Sequence, residues 1–293
     1  MKIARIRFGG REAYAIIANE GVYSRSYLSG VFGENLPATV AGFAEECVMN
    51  TVYKRRLEDV VSKHPPEATI SEVSLLAPLD NRPKIICVGL NYRDHAEEQG
   101  VKPPDEPVIF MKPYTAITGP GNPIIYPKIT RQLDYEAELA VVIGRKCRNV
   151  SRSQAHEFIL GYTCFNDVSA RDIQFKDGQW VRGKSFDTFA PIGPWVVTQD
   201  EVGDPHSLKI MSRVNGEIRQ SSNTRNMVFG VYQLVEFISS VMTLDPGDVI
   251  ATGTPSGVGV FYKPAPKLLN VGDLVEVEIE KIGVLANVVG GEP

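Results

Sequence analysis

Glycine and proline divide most of this 293-residue chain into short runs. Beyond about residue 76, most of the 26 glycines and 20 prolines separate runs that are rich in β-forming residues. Many short strands parted by turn residues are typical of a β-sandwich, a roll or a barrel. The sequence therefore predicts an α+β fold dominated by strands, and the runs that carry this prediction are KIICVG, VIFMK, ELAVVIG, APIGPWVVT, LKIMSRVNG, GDVIATG and LVEVEIE.

Two helices are expected to interrupt these strands. Ser151 followed by Gln154 forms a plausible capping box, which predicts a helix in SRSQAHEFILG. Apolar residues from Val231 to Met242 recur at helical spacing until Pro246 and the glycine after it end the pattern. In LVEVEIE the valines and isoleucine alternate with glutamates, which predicts a strand with one wet face.

The first part of the chain differs in character from the remainder. It opens with short alternating segments and continues through helix-permissive stretches around VAGFAEECV and VYKRRLEDVVSKH, which end at Pro65. The polar stretch PPEATISEV then leads into the strand-rich region. We therefore expect a small N-terminal α+β domain over residues 1–75 and a larger, strand-rich domain over residues 76–293.

Charge and composition exclude several classes of function. Lysine and arginine total 31 and aspartate and glutamate total 35, so the net charge is −4, and neither sign is concentrated in a stripe or tail. Nucleic acid and anionic membranes are therefore poor candidate partners. No apolar run approaches the roughly 18 residues needed to span a bilayer, and the start of the chain has no apolar signal-peptide core, so we expect a cytoplasmic protein.

Cysteine and histidine spacing excludes a zinc site. The four cysteines are far apart without a C-x-x-C pair, and the four histidines are equally scattered. We expect the cysteines to be free thiols, three of them within apolar runs, in a reducing compartment. Any metal bound by this chain must therefore have oxygen ligands.

One motif match is misleading. Residues 178–185 read GQWVRGKS, which satisfies the phosphate-binding pattern G-x-x-x-x-G-K-S. Such a loop needs a helix immediately after it, so that backbone N–H groups face the phosphates. Pro191 and Pro194 follow instead and exclude a regular helix, so we reject nucleotide binding and expect another role for Lys184.

Acidic residues near two strand ends indicate a site for a hard cation. Glu136 and Glu138 lie two apart, so on a strand they would point to the same face about 6.6 Å apart. Most such pairs are simply solvated, but Asp167 follows a second apolar run, GYTCFN. Three carboxylates without imidazole or thiolate suit Mg²⁺, and also Mn²⁺ or Ca²⁺. A 2-oxo acid, which offers carboxylate and keto oxygens, would chelate such an ion.

A histidine and a glutamate provide a candidate general base. His95 and Glu98 lie three apart in GLNYRDHAEEQG, which brings them together on a helical turn. A carboxylate beside an imidazole fixes its tautomer and raises its basicity. A histidine near acids on a surface turn is more often incidental, so the pair alone does not decide the question.

Six ordered segments resemble the fumarylacetoacetate hydrolase family from about Ile85 to Val289. They are GLNYRDHAEE, LDYEAELAVVIG, FNDVSARDIQ, GKSFDTFAPIGPW, VNGEIRQSSNT and PGDVIATGTPSGVG. The last third looks closest to the smaller members, the fumarylacetoacetate hydrolase domain-containing proteins of the acylpyruvase and oxaloacetate tautomerase type. The resemblance implies a mixed β-sandwich or roll in the C-terminal domain, a divalent metal and a homodimer.

The resemblance also implies roles for individual residues. The metal carboxylates correspond to Glu136, Glu138 and Asp167, and the fourth carboxylate of the founding hydrolase has no counterpart here. The remaining roles are catalytic for His95, Glu98 and Lys184, and substrate-binding for Arg171, Gln174 and Thr254.

We therefore expect a Mg²⁺-dependent hydrolase that cleaves a C–C bond of a 2,4-dioxo carboxylate, such as an acylpyruvate or fumarylpyruvate, through an enolate. The same residues would also serve an oxaloacetate tautomerase or decarboxylase, or a hydroxymuconate-type isomerase. A metal-dependent binding protein without turnover is the alternative from a different class.

Overall fold

The computed structural model describes residues 1–292. Its strands are short, as the glycine and proline pattern predicts, and most of them pair antiparallel. In chain order they are β1 Lys2–Phe8, β2 Arg11–Ala18, β3 Gly21–Ser24, β4 Ala68–Thr69, β5 Ser74–Leu76, β6 Ile85–Gly89, β7 Val108–Lys112, β8 Ile117–Thr118, β9 Ile124–Tyr126, β10 Leu133–Asp134, β11 Ala137–Ile143, β12 Ile159–Asn166, β13 Ser169–Ala170, β14 Ala190–Thr198, β15 Lys209–Val214, β16 Glu217–Asn223, β17 Val249–Ala251, β18 Leu274–Ile279 and β19 Gly283–Gly291.

The α-helices lie between groups of strands, and several are only one or two turns long. They are α1 Arg25–Phe32, α2 Val40–Met49, α3 Thr51–Lys63, α4 Arg93–Gln99, α5 Arg171–Asp177, α6 Val181–Lys184, α7 Gln199–Val202 and α8 Val231–Val241. Short 3-10 helices occupy Ile70–Glu72, Tyr114–Ala116, Ala155–Phe158, Thr224–Asn226 and Gly259–Phe261.

The described strands form three sheets. The largest runs β4-β3-β2-β1-β14-β12-β11-β17-β6-β7, with β5 added on β1 and β8 on β14. A second sheet runs β16-β15-β18-β19-β9, and β10 pairs with β13. β17 pairs parallel with β6, and β11 lies between β12 and β17.

β11 is buried on both of its faces, which explains why its residues other than Glu138 are all apolar. Leu139 and Val141 face a core shared with the five-stranded sheet and α8. Ala140 and Val142 belong to a second core, which α1, α2 and α3 cover from the other side. The large sheet is therefore the middle layer, and its central strands pass through the interior of the molecule.

The N-terminal strands extend the same large sheet. β1 pairs with β14 at Lys2↔Val197 and Ile3↔Val196, and it also pairs with β2 and β5. The division at residue 75 remains a prediction, and it falls within β5. The helices expected before Pro65 are present as α2 and α3, and α3 ends at Lys63.

One helix prediction is confirmed and the other is wrong. α8 spans Val231–Val241, as the apolar spacing predicts. The segment after Ser151 forms only the 3-10 helix Ala155–Phe158, because the following residues, from Ile159, pair in β12 with β11 and β14. The hydroxyl of Ser151 donates to Oε1 of Gln154 instead of capping an α-helix.

Other expectations about the chain agree with the structure. In β18 the side chains of Val275, Val277 and Ile279 are buried, while Glu276 and Glu278 are partly exposed. All four cysteines are buried and free. Within residues 1–292, no helix combines the length and apolar character needed to cross a membrane.

Candidate active site

Two neighbouring strands bring the predicted metal carboxylates together. Glu136 immediately precedes β11 and Glu138 lies within it, while Asp167 directly follows β12. Because the two strands are antiparallel, with Ala137 opposite Asn166, the start of one meets the end of the other. Each acid offers one oxygen within 4.8 Å of the other two, and all three side chains are buried.

Three basic side chains compensate part of this buried negative charge. Nζ of Lys184 lies 3.0 Å from Oε2 of Glu136 and 2.8 Å from Oδ2 of Asp167. Nη1 of Arg171 lies 2.7 Å from Oε1 of Glu136. Nζ of Lys112 lies 2.6 Å from Oδ1 of Asp167. Glu136 and Asp167 are thus each paired with two cations, and Lys184 is shared between them.

The two glutamates at the start of β11 have opposite electrostatic environments. Burial would raise the pKa of Glu136, but the charges of Lys184 and Arg171 outweigh burial and lower that pKa to about 2. Glu138 is 1% exposed, and burial together with the charges of the other two carboxylates raises its pKa well above the usual value. Its Oε2 accepts one hydrogen bond, from the backbone N–H of Gly253 at 2.9 Å.

The donor atoms of this cluster fit a hard divalent cation. Glu138 forms no ion pair with any side chain in the described part of the protein. The carboxylate of Asp167, by contrast, is paired with Lys112 and Lys184. Glu138 is therefore the acid without a counter-charge, and it offers an oxygen within 4.8 Å of oxygens of the other two acids. Hard oxygen donors are those that Mg²⁺, Mn²⁺ and Ca²⁺ prefer.

Lys112 is a functional candidate that the sequence patterns did not reveal. Its ammonium donates to the carbonyl oxygens of Val168, Lys184 and Phe189 at 3.0, 2.7 and 2.6 Å. Lys112 thus links the segment that follows Asp167 to the segment that carries Lys184 through hydrogen bonds. The available signal was a lysine that ends the apolar strand VIFMK, where a charge is unusual unless it is paired.

Arg171 keeps one donor available to a ligand. Its Nε binds Oδ2 of Asp134 at 2.8 Å, and its Nη1 also donates to Oε1 of Gln174 at 3.1 Å. Its buried Nη2 has no hydrogen-bond partner in the protein. Asp134, which sequence reasoning did not single out, also accepts hydrogen bonds from the backbone N–H groups of Gly259 and Val260.

His95 and Glu98 are in contact on α4, as their spacing predicts. Nδ1 of His95 lies 3.0 Å from Oε2 of Glu98. The other oxygen of Glu98 accepts a hydrogen bond from the backbone N–H of Gly257 at 2.9 Å, which fixes the carboxylate. Asp94 accepts a hydrogen bond from the hydroxyl of Ser222 at 2.6 Å and holds α4 against β16. The general-base role of the pair remains a prediction.

Thr254 is held by the chain rather than left free. Its hydroxyl donates to the carbonyl oxygen of Ala137 at 3.0 Å and accepts from Nε2 of Gln220 at 2.7 Å. The side-chain oxygen of Gln220 accepts from the N–H of Ala137, so this glutamine also positions the start of β11. Thr254 contacts the cleft, and its substrate-binding role remains a prediction.

A single cleft collects most of the predicted residues. Glu136, Glu138, Arg171, Gln174 and Lys184 form its polar part, together with His95 and Thr254. Asp167 and Glu98 do not line the cleft, but they contact Lys184 and His95, which do. Its apolar wall consists of Val88, Leu90, Phe110, Phe175, Trp180 and Phe261.

The rejected phosphate-loop pattern has a different structure. Its last residues form the short helix α6, and Lys184 at the end of that helix is 2% exposed and engaged with two carboxylates. Trp180 of the same segment packs edge-on against Phe110, with ring centroids 5.4 Å apart. The segment therefore supplies a cation to the acidic cluster instead of binding a phosphate.

A comparison with protein families identifies the group to which the site belongs. The model described as fumarylacetoacetate hydrolase C-terminal matches residues 84–290. The chain belongs to the fumarylacetoacetate hydrolase family. Members of this family are hydrolases, isomerases and tautomerases that use divalent metals, so this protein is an enzyme acting on small oxo acids. The strand-rich α+β fold expected from the sequence is confirmed.

Known members of the fumarylacetoacetate hydrolase family resemble the whole chain. Oxaloacetate tautomerase FAHD2A, mitochondrial, of Bos taurus is 48% identical over 258 residues, 87% of this chain and 81% of that protein. The structure of 5-carboxymethyl-2-hydroxymuconate delta-isomerase from Mycobacterium smegmatis is 39% identical, with a TM-score of 0.78. Maleylpyruvate hydrolase from Sphingobium sp. SYK-6, in complex with manganese(II) ion and pyruvate, is 30% identical, with a TM-score of 0.81. Both structural matches cover 100% of each chain.

Proposed function

We propose that this enzyme interconverts the keto and enol forms of oxaloacetate, or of a closely similar 2-oxo dicarboxylate, with Mg²⁺ held by Glu136, Glu138 and Asp167. The observation that carries the proposal is the buried acidic cluster with an unpaired donor, Nη2 of Arg171, at the same cleft. Similarity to mitochondrial oxaloacetate tautomerases, 48% identical in the bovine case, favours this reaction among those of the family.

The side chains of the cleft have separate roles in binding the substrate and in moving its proton. A bound Mg²⁺ would supply Lewis acidity toward the oxygens of a 2-oxo acid. Nη2 of Arg171 donates to a substrate carboxylate, and Lys184 balances the charge that this carboxylate adds. Nε2 of His95, with Nδ1–H directed at Glu98, takes a proton from the substrate carbon next to the keto group.

Disappearance of enol-oxaloacetate tests the proposal. The ultraviolet absorbance of the enol should decay faster in the presence of the protein and Mg²⁺ than in buffer with Mg²⁺ alone, and EDTA should abolish the difference. An enol decay that the protein leaves unchanged at any Mg²⁺ concentration would exclude the tautomerase.

Hydrolysis of the C–C bond of acylpyruvates is the second candidate. The His95–Glu98 contact favours it, because a base of this kind can activate water. The similar structure of maleylpyruvate hydrolase supports it further. Release of pyruvate from an acylpyruvate, measured with lactate dehydrogenase, would separate hydrolysis from tautomerisation.

A further inference from the structure

Both ring nitrogens of His95 already have partners. Glu98 is a carboxylate that only accepts, so Nδ1 of His95 carries the hydrogen that it receives. In the neutral imidazole Nε2 is therefore the acceptor, and it lies 2.7 Å from Nε2 of Gln99. The side-chain amide of Gln99 thus donates a hydrogen bond to the lone pair of Nε2, and a general base would need that lone pair to accept a proton.

The side chain of Gln99 can break its hydrogen bond to His95 without disturbing the rest of the fold. Gln99 is the last residue of α4 and is followed by Gly100, whose φ of 69° ends the helix. Its side chain is partly exposed and lines the cleft. The bond to His95 is the only hydrogen bond of this side chain within residues 1–292. A ligand that offers a better acceptor can therefore draw the amide away.

We propose that Gln99 is a specificity-determining residue that exchanges partners when substrate binds. This inference rests on the proposed tautomerase function. The distal carboxylate of a 2-oxo dicarboxylate accepts the N–H of Gln99, and Nε2 of His95 becomes free as a base. A 2-oxo acid without a distal oxygen leaves the base covered, so the enzyme distinguishes substrates by the acceptor at their far end.

Proton transfer itself uses only the uncovered nitrogen. The C3–H bond of the substrate breaks, its proton goes to Nε2 of His95, and its electron pair moves to form the enolate with the C2 oxygen. Return of a proton from the imidazolium to the enolate oxygen gives the enol. Return of a solvent deuteron to C3 instead gives hydrogen exchange, which can be followed for substrates that lack a distal oxygen.

The substitution Gln99→Met removes the donor while keeping a flexible side chain of similar length. We expect the exchange rate at C3 of 2-oxobutanoate, followed by NMR in D₂O, to rise by roughly tenfold, because nothing covers the base. We expect kcat/KM for oxaloacetate to fall by roughly threefold, mainly through KM, because a charge-assisted hydrogen bond to the substrate is lost. Gln154→Met, at an exposed position, is the matched control and should leave both rates unchanged.

The ratio of kcat/KM for oxaloacetate to the exchange rate at C3 of 2-oxobutanoate tests the proposal. A lower ratio in Gln99→Met than in the wild type supports partner exchange. An unchanged or increased ratio overturns it, since a residue that merely supports α4 would slow both reactions together. If the wild-type protein does not tautomerise oxaloacetate at all, the proposed function fails and this inference fails with it.

A spectroscopic readout is independent of turnover. With ¹⁵N-labelled histidine, the ligand-free Gln99→Met protein should show the Nε2 signal of His95 shifted downfield, toward a nitrogen that accepts no hydrogen bond. The chain has four histidines, so assignment by substitution is practical. An Nε2 signal that does not move would contradict the hydrogen bond on which the inference depends.

Discussion

At the scale of single residues, two glutamates at the start of β11 show how the surroundings of a carboxylate decide its charge. Glu136 and Glu138 line the same cleft, yet only Glu136 contacts Arg171 and Lys184. Its ionised form is therefore stabilised without a metal. Glu138 has only one backbone donor and two acidic neighbours, so it gains most from a bound cation.

The substitution Glu138→Gln should abolish Mg²⁺ binding in a calorimetric titration. Without metal, it should not lower the free energy of unfolding, because it removes charge repulsion within the acidic cluster. Glu136→Gln should instead lower that free energy by about 3 kcal/mol, since Lys184 and Arg171 would lose a buried partner. Undiminished Mg²⁺ affinity in Glu138→Gln would contradict its assignment as a ligand.

For Glu98→Gln we expect kcat to fall by roughly 10² while Mg²⁺ affinity stays nearly unchanged. The amide oxygen of glutamine can still accept from the N–H of Gly257, so α4 should stay in place, but the negative charge that supports the imidazolium of His95 is lost. Glu97→Gln, on the same helix and exposed, is the matched control. Equal losses of turnover and metal affinity would show that the role of Glu98 is misassigned.

At the scale of elements, the close packing of β12 against β14 limits which side chains the central sheet accepts. A Cβ on Gly161 would lie 2.0 Å from the carbonyl oxygen of Val197, which is far inside contact distance. The register between these strands also shifts next to this position, between Tyr162 and Cys164. Glycine is therefore required there by space rather than by backbone conformation.

We expect Gly161→Ala to lower the free energy of unfolding by about 3 kcal/mol or more, measured by urea denaturation, because backbone must move to relieve the contact. Gly30→Ala is the matched comparison, since Gly30 lies inside α1 and its Cβ would meet nothing within 4 Å. That substitution should raise the free energy by about 0.5–1 kcal/mol. Similar effects from the two changes would show that β12 and β14 are more loosely packed than the structure indicates.

At the scale of the whole molecule, the N-terminal segment and the catalytic region share one sheet and one core. Ile3, Phe43 and Leu57 pack in the same apolar cluster as Cys87 and Val142. The N-terminal ammonium also donates to the hydroxyl of Thr198, at the end of β14. Unfolding the first part would therefore expose one face of the strands that carry the acidic cluster.

The full chain should consequently unfold in a single cooperative transition. The calorimetric enthalpy of unfolding should equal the van't Hoff enthalpy, because the two parts share one sheet and one apolar cluster. Residues 76–293 expressed without the N-terminal segment should aggregate, since β14 would lose its pairing with β1. Two separate transitions in the full chain, the second matching an isolated, folded 76–293 fragment, would contradict this expectation.

Local patterns were sufficient for features that depend on near neighbours in the chain. The helical spacing in α8, the alternation in β18 and the adjacency of His95 and Glu98 are set within a few residues. The helix expected after Ser151 was wrong because tertiary pairing overrode a local capping pattern, as residues from Ile159 onward are required in β12.

The sequence alone determined the chemical kind of the site: hard oxygen donors, a histidine beside a carboxylate, and the family segments that carry them. Only the tertiary structure decided which charges meet. Lys112, Asp134 and Gln220 bind Val168, Gly259 and Ala137, which lie 56, 125 and 83 positions away in the chain, and no periodicity reports such contacts. Composition and spacing describe what a segment can do, whereas the pairing of distant strands decides which groups lie within bonding distance.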